Sequence, residues 1–173
     1  HCDALSLEVS RDERRVLVNS GVSTYERTPE RLVERGTAAH NTVRIDAREQ
    51  SEIWASHRVG RRVRRVRAGG REGVVFAAHD GYAHLHGRPV HERRVHLDDD
   101  GLVIVDGFEG SGEHLLEWFL HLHPDCAASL EGRSVLVTRG GRSVARVAVP
   151  EGVDAAVVEG TWHPSFHSAV PNR

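Results

Sequence analysis

Ser134-Val135-Leu136-Val137-Thr138-Arg139-Gly140-Gly141-Arg142-Ser143-Val144-Ala145-Arg146-Val147-Ala148-Val149 decides the fold class. Two valine-rich runs flank Arg139-Gly140-Gly141-Arg142, and Leu5-Ser6-Leu7-Glu8-Val9 alternates apolar with polar residues. A strand sends successive side chains to opposite faces, so this period of two marks half-buried strands. Adjacent glycines supply the positive φ that a tight hairpin turn demands. The same pattern extends outward along the chain. Leu5 to Val9, Arg15 to Asn19, Thr42 to Asp46, Arg62 to Val66 and Gly73 to Ala77 read as strands. So do Arg94 to Leu97, Leu102 to Asp106 and Ala155 to Val158, with Asp98-Asp99-Asp100-Gly101 as a second tight turn. Valine supplies 24 residues against three isoleucines, a β-branched bias that suits pleated sheets. The expected fold is all-β, an antiparallel multi-stranded β-sandwich with few short helices, forming one domain over residues 1–173.

Helix is expected at one place. Thr28-Pro29-Glu30 sets a cap residue before a proline at the first helical position, and Gly36 ends about two turns. Glu113 to His123 fits either a helical face or a strand face; the strand-rich surroundings favour strand.

Composition narrows the function. The 173 residues carry 23 basic and 25 acidic side chains, for a formal net charge of -2. That balance argues against general polyanion binding, and the basic stretch Arg58 to Arg71 lacks aromatic interleaving, so no nucleic-acid partner is expected. All the basic residues are arginine, which excludes Schiff-base chemistry on a lysine of this chain. No apolar run approaches 18 residues, so no membrane insertion is expected. Cys2 and Cys126 are too few for a disulfide scaffold. The chain opens at His1 without an initiator Met and reads as part of a longer protein.

Thirteen histidines are the informative excess. Neutral imidazole serves both as a metal ligand and as a proton shuttle near neutral pH. No HExxH, paired CxxC, phosphate loop or GxSxG is present, and no organic cofactor is expected. Arg35-Gly36-Thr37-Ala38-Ala39-His40-Asn41-Thr42-Val43-Arg44-Ile45-Asp46 delivers His40 and Asn41 to the mouth of a strand. His40 suits metal ligation or proton donation, and Asn41 suits a carboxylate or a sugar hydroxyl. As polar groups of a turn, both need no further role.

His40-Asn41-Thr42-Val43, then Ile45-Asp46 and Arg48-Glu49-Gln50-Ser51-Glu52, resembles a signature of the heparinase II/III-like proteins, polysaccharide lyases and their relatives. Further blocks resemble that family in order: His1-Cys2-Asp3-Ala4-Leu5-Ser6-Leu7-Glu8, then Leu17-Val18-Asn19-Ser20-Gly21-Val22-Ser23-Thr24-Tyr25. His79-Asp80-Gly81-Tyr82, His91-Glu92-Arg93-Arg94-Val95, Leu102-Val103-Ile104-Val105-Asp106 and Trp162-His163-Pro164-Ser165-Phe166-His167 complete the set.

The resemblance implies a β-sandwich that follows an N-terminal α/α toroid, which would precede His1. It implies β-elimination on a uronate-containing acidic polysaccharide, met in the periplasm, at the cell surface or outside the cell. It implies a structural zinc on His1, Asn19 and His40, with Asn19 standing where the family has Asp. Asn is neutral and a weaker zinc ligand than carboxylate, and a hydrogen-bonded cluster of the three explains them equally. Tyr25, with His40, is the implied catalytic pair, although a packing Tyr beside the turn accounts for Tyr25 as well. Asn41, His79, Tyr82 and Arg93 are the implied saccharide contacts, with a sheet-edge plug as the other reading of His79 and Tyr82. The arginines from Arg58 to Arg71 read either as solvated strand faces or as contacts to an acidic polymer. A non-catalytic carbohydrate-binding or structural sandwich is the alternative to a lyase domain.

Overall fold

Every pairing between named strands is antiparallel in the computed structural model, which describes residues 1–172. β1 (Val9–Arg11) and β2 (Arg14–Leu17) form a hairpin. Helix α1 (Pro29–Arg35) and one 3-10 turn (Thr37–Ala39) lead into β3 (Val43–Ile45). A four-stranded meander follows: β4 (Arg65–Arg71), β5 (Val74–His79), β6 (Val90–Asp98) and β7 (Gly101–Glu109). β8 (Leu116–Trp118) returns to pair with β3. β9 (Cys126–Glu131), β10 (Ser134–Arg139) and β11 (Arg142–Ala148) make a second meander, and β12 (Gly160–Trp162) pairs with β13 (Val170–Asn172).

Both expected tight turns form. Gly140 and Gly141 turn β10 into β11 at φ +55° and +75°, a region open to glycine at no steric cost. The Asp98–Gly101 turn sets β6 against β7 in unbroken register from Asp98↔Gly101 to Val90↔Glu109. The one α-helix also forms where expected. The Thr28 hydroxyl accepts the Arg31 N–H at 3.2 Å, and Pro29 opens the first turn.

Two cores hold the sheets. Val43 and Ile45, alternate residues of β3, face inward against Tyr82, Leu85, Phe108 and Leu116. Arg44 between them turns outward to a bidentate pair with Glu117 at 2.8 Å. In the other core, Val16 of β2 packs with Cys126 and Val137, bordered by Leu122, Val135, Val144 and Ala145. One core thus joins β3–β8 to the four-stranded meander, and the other joins β1–β2 to the three-stranded one. Cys2 and Cys126 are both buried free thiols.

Two expected strands are corrected. Leu5 to Val9 is irregular until Val9, because Leu5 sits at φ +61° and side chains take the carbonyls a ladder would use. Thr42 and Gln50 bind the carbonyl of Ala4, Arg93 that of Leu5 and Asn41 that of Leu7. Ala155 to Val158 makes no strand; the pairing occurs at Gly160–Trp162, where β13 offers a neighbour. β9 was not expected, and its burial pattern explains why: after Cys126 its residues are mostly exposed and carry no apolar alternation. Glu113 to His123 contains strand over Leu116–Trp118 and no helix.

Candidate functional site

Five of the family-like blocks, those holding Leu5, Asn41, His79, Arg93 and Asp106, converge on β3, β6 and β7 and form a buried polar brace centred on Asp106. The β6–β7 register places Arg93 directly opposite Asp106. Arg93 donates from Nε to Asp106 Oδ1 at 2.8 Å and from Nη2 to Oδ2 at 3.0 Å. Its Nη1 reaches the carbonyls of Leu5 at 2.9 Å and Asn41 at 2.6 Å. The Trp118 indole N–H donates to Asp106 Oδ2 at 3.0 Å. One arginine thus ties the N-terminal segment and β3 to the meander.

Two histidines extend the brace, and their donors fix their tautomers. The Gly81 N–H donates to His79 Nδ1 at 3.0 Å, so the proton of that ring lies on Nε2. His79 Nε2 donates to His91 Nδ1 at 3.2 Å, and His91 Nε2 donates to Asp106 Oδ1 at 2.7 Å. Burial, with His91 and Arg93 nearby, holds the His79 pKa down at about 3. Burial alone would raise the Asp106 carboxyl, but the hydrogen bonds from His91 and Arg93 bring it down to about 2. Burial raises the Tyr82 phenol well above its ordinary range; its hydroxyl donates to the Val43 carbonyl at 2.8 Å.

Asn41 works the same way. Its amide nitrogen donates to Leu7 O at 2.8 Å and Val18 O at 3.0 Å, while its oxygen accepts the His121 N–H at 2.6 Å. Four expected saccharide contacts are therefore corrected. Asn41 and Tyr82 have no exposed surface, His79 has 2% and Arg93 5%, and their polar atoms are engaged inside the protein. They hold the chain together; their polar atoms do not reach a cleft.

His40 lies under the same shell with the opposite character. It is fully buried, yet neither ring nitrogen has a hydrogen-bond partner. The exposed His1 ring stands beside it, centroids 5.3 Å apart. Burial pushes the His40 pKa down to about 4, opposed by Asp3 and reinforced by the N-terminus and His121. Full burial corrects the expectation of His40 as a group that meets substrate, and the lone-pair nitrogen of its neutral ring has no hydrogen-bond partner. Two of the three expected zinc ligands are thus brought together. Asn19 hydrogen-bonds neither ring; its Oδ1 caps the Gly21 N–H at 3.2 Å. Among the described residues no group of three or more His, Cys, Asp or Glu is set to hold a metal.

Tyr25 is placed differently from all of these. It is 57% exposed, with the Arg31 guanidinium 5.0 Å from its ring centroid. Arg31 is itself buried on α1, 3.6 Å from Glu34. Glu34 accepts the Ser23 N–H at 2.9 Å and the Ser23 hydroxyl, which anchors the Tyr25 segment to the helix.

Sequence reasoning missed His91, Asp106 and Arg31. A signal for Asp106 was present: five residues back from Asp98 and five forward from Gly101 land on Arg93 and Asp106. Arg31 offered none, because burial of a charged residue on a two-turn helix depends on what packs over it.

No helix among the described residues is long and apolar enough to cross a membrane. No curated protein and no solved structure matches the chain. The family model described as heparinase II/III-like, C-terminal, matches residues 1–173. With that match spanning the blocks that build the Asp106 brace and the His1–His40 pair, the whole chain belongs to the heparinase II/III-like, C-terminal family.

Proposed function

We propose that this chain is the β-domain of a lyase that cleaves a uronate-containing acidic polysaccharide by β-elimination, with Tyr25 as the proton-carrying side chain. The observation that carries this reading is the exposed phenol of Tyr25, fixed on the surface by Arg31 and by the Ser23–Glu34 anchor while His40, Asn41, His79, Tyr82 and Arg93 are interior. In the elimination a base takes the proton from C5 of the uronate. The electron pair forms the C4–C5 double bond, the C4–O bond breaks, and an acid protonates the leaving oxygen. A surface phenol serves either proton transfer. Donors to the C5 carboxylate would come from the partner toroid of the same protein.

His1 and His40 are the proposed holders of a structural zinc, and the unpartnered nitrogens of His40 support it. Asn19 oxygen and water would complete a tetrahedral shell. The metal would cross-link the N-terminal segment to β3 and take no part in the elimination. The same reading takes the covered meanders as layers of a sandwich, and an acidic polymer substrate places the protein in the periplasm, at the cell surface or outside the cell.

The test is ultraviolet absorbance of the unsaturated uronate product on alginate, heparin, heparan sulfate and hyaluronan, using the protein with its toroid. Tyr25→Phe should lower the rate at least about 100-fold and leave stability within about 0.5 kcal/mol. Residues 1–173 alone should give no product, since misplacing a catalytic group by about 1 Å costs about 100-fold. Binding without unsaturated product on any of the four polymers would favour a non-catalytic carbohydrate-binding domain.

A further inference from the structure

Three rings from distant segments meet on the surface beside α1. Tyr25 and Phe166 lie edge to face with centroids 4.9 Å apart, and the His57 ring is 6.2 Å from Tyr25. Tyr25 is 57% and Phe166 51% exposed. The chain has only four Phe and two Tyr, and one of each stands half-exposed at this shared spot.

The cluster is preorganised by backbone contacts. The His163 N–H donates to Ser20 O at 2.7 Å and the His167 N–H to Ser23 O at 2.8 Å, lacing the Phe166 loop onto the Tyr25 segment. Glu34 holds Ser23 from α1. Arg35 of the same helix donates to the carbonyls of Ala55 and Arg58, on either side of His57. A single buried helix face therefore fixes all three rings, which lowers the ordering cost of any ligand they meet.

We infer that Tyr25, Phe166 and His57 form a stacking platform for one pyranose ring of a glycan chain. An aromatic ring offers an apolar body with a negative face, suited to the C–H face of a sugar. The phenol hydroxyl and the imidazole at the rim suit its hydroxyl groups. Size favours a sugar over a protein. Two half-exposed aromatic side chains of about 150–250 Å² each fall far short of the roughly 800 Å² that a stable protein partner covers. The ligand class rests on the polysaccharide reading above, whereas the ring geometry stands without it.

The test is NMR of the 173-residue chain with alginate, heparin and neutral cellulose tetrasaccharides, with affinity read by titration. The C–H protons of one bound sugar residue should show upfield ring-current shifts. Phe166→Ala should abolish those shifts and weaken binding about tenfold, whereas Phe166→Tyr, which keeps the ring, should preserve both. Binding of the cellulose tetrasaccharide alone, with the same dependence on Phe166, upholds the platform and overturns the uronate substrate. Uronate binding that Phe166→Ala leaves unchanged overturns the platform and spares the substrate reading. Failure of all three glycans to bind, or occupation of the patch by a protein, overturns the platform.

Discussion

Two histidine pairs sit close to the same β3 shell and are built in opposite ways. In the His79–His91 pair every ring nitrogen has a partner, from the Gly81 N–H at one end to the Asp106 carboxylate at the other. In the His1–His40 pair the buried ring has no partner at all. A buried polar group without a partner costs about 1–3 kcal/mol, so a fully satisfied network reads as structure, whereas the unpartnered ring supports the proposed zinc. Both pairs carry family-like residues, and residue type alone does not separate them. Their partners do.

The largest expected effect comes from breaking the satisfied pair. Asp106→Ala strands the buried Arg93 guanidinium and removes the acceptor of His91 and Trp118. Losing one partner of a buried ion pair costs about 3–5 kcal/mol, read as a lower urea midpoint. A loss under about 1 kcal/mol would show that the brace is not structural.

Zinc sharpens the other side. At about 100 times its dissociation constant, a metal that binds only the folded chain adds about 2.7 kcal/mol. Wild type should gain this in thermal unfolding, and His40→Ala should gain nothing. Without metal, His40→Ala forfeits packing but no hydrogen bond. A wild-type chain indifferent to zinc would remove the ligand half of the comparison.

The last effect is graded rather than abrupt, a pH slope. His79 has an ordinary pKa of 6.5 and a folded value of about 3. Its contribution is complete above pH 6.5, and below it the unfolded chain binds a proton that the folded chain refuses. Stability should therefore fall by about 1.4 kcal/mol per pH unit from that point toward pH 3. His79→Gln, which keeps an acceptor for the Gly81 N–H, should lessen the slope between about pH 6.5 and 5 and leave the part that buried His40 contributes. An unchanged slope in that variant would show that His79 is not a buried neutral ring.

Local chemistry made several elements legible in advance. Thr28-Pro29 and Gly36 bound a helix, and Gly140-Gly141 and Asp98–Gly101 close hairpins, because caps and turns act within a few residues. The resemblance of the His40 to Glu52 block named the family, and the match over the whole chain agrees. Leu5 to Val9 was misread because its alternation is real while its carbonyls are taken by side chains 34 to 88 positions away. Asn41, His79, Tyr82 and Arg93 were misread for the same cause: a polar side chain looks alike in sequence whether it faces water or another backbone.

By itself, then, the sequence determined the antiparallel, strand-rich class, the capped helix and the family. Those follow from periodicity, turn stereochemistry and residue order, which are properties of neighbours along the chain. Only the tertiary structure decided which residues are braces, which ring is left without a partner, and which aromatic side chains stand in water. Burial and hydrogen-bond partnership belong to contacts between distant segments, such as Arg93 with Leu5 or Phe166 with Tyr25, and the order of residues does not encode them locally.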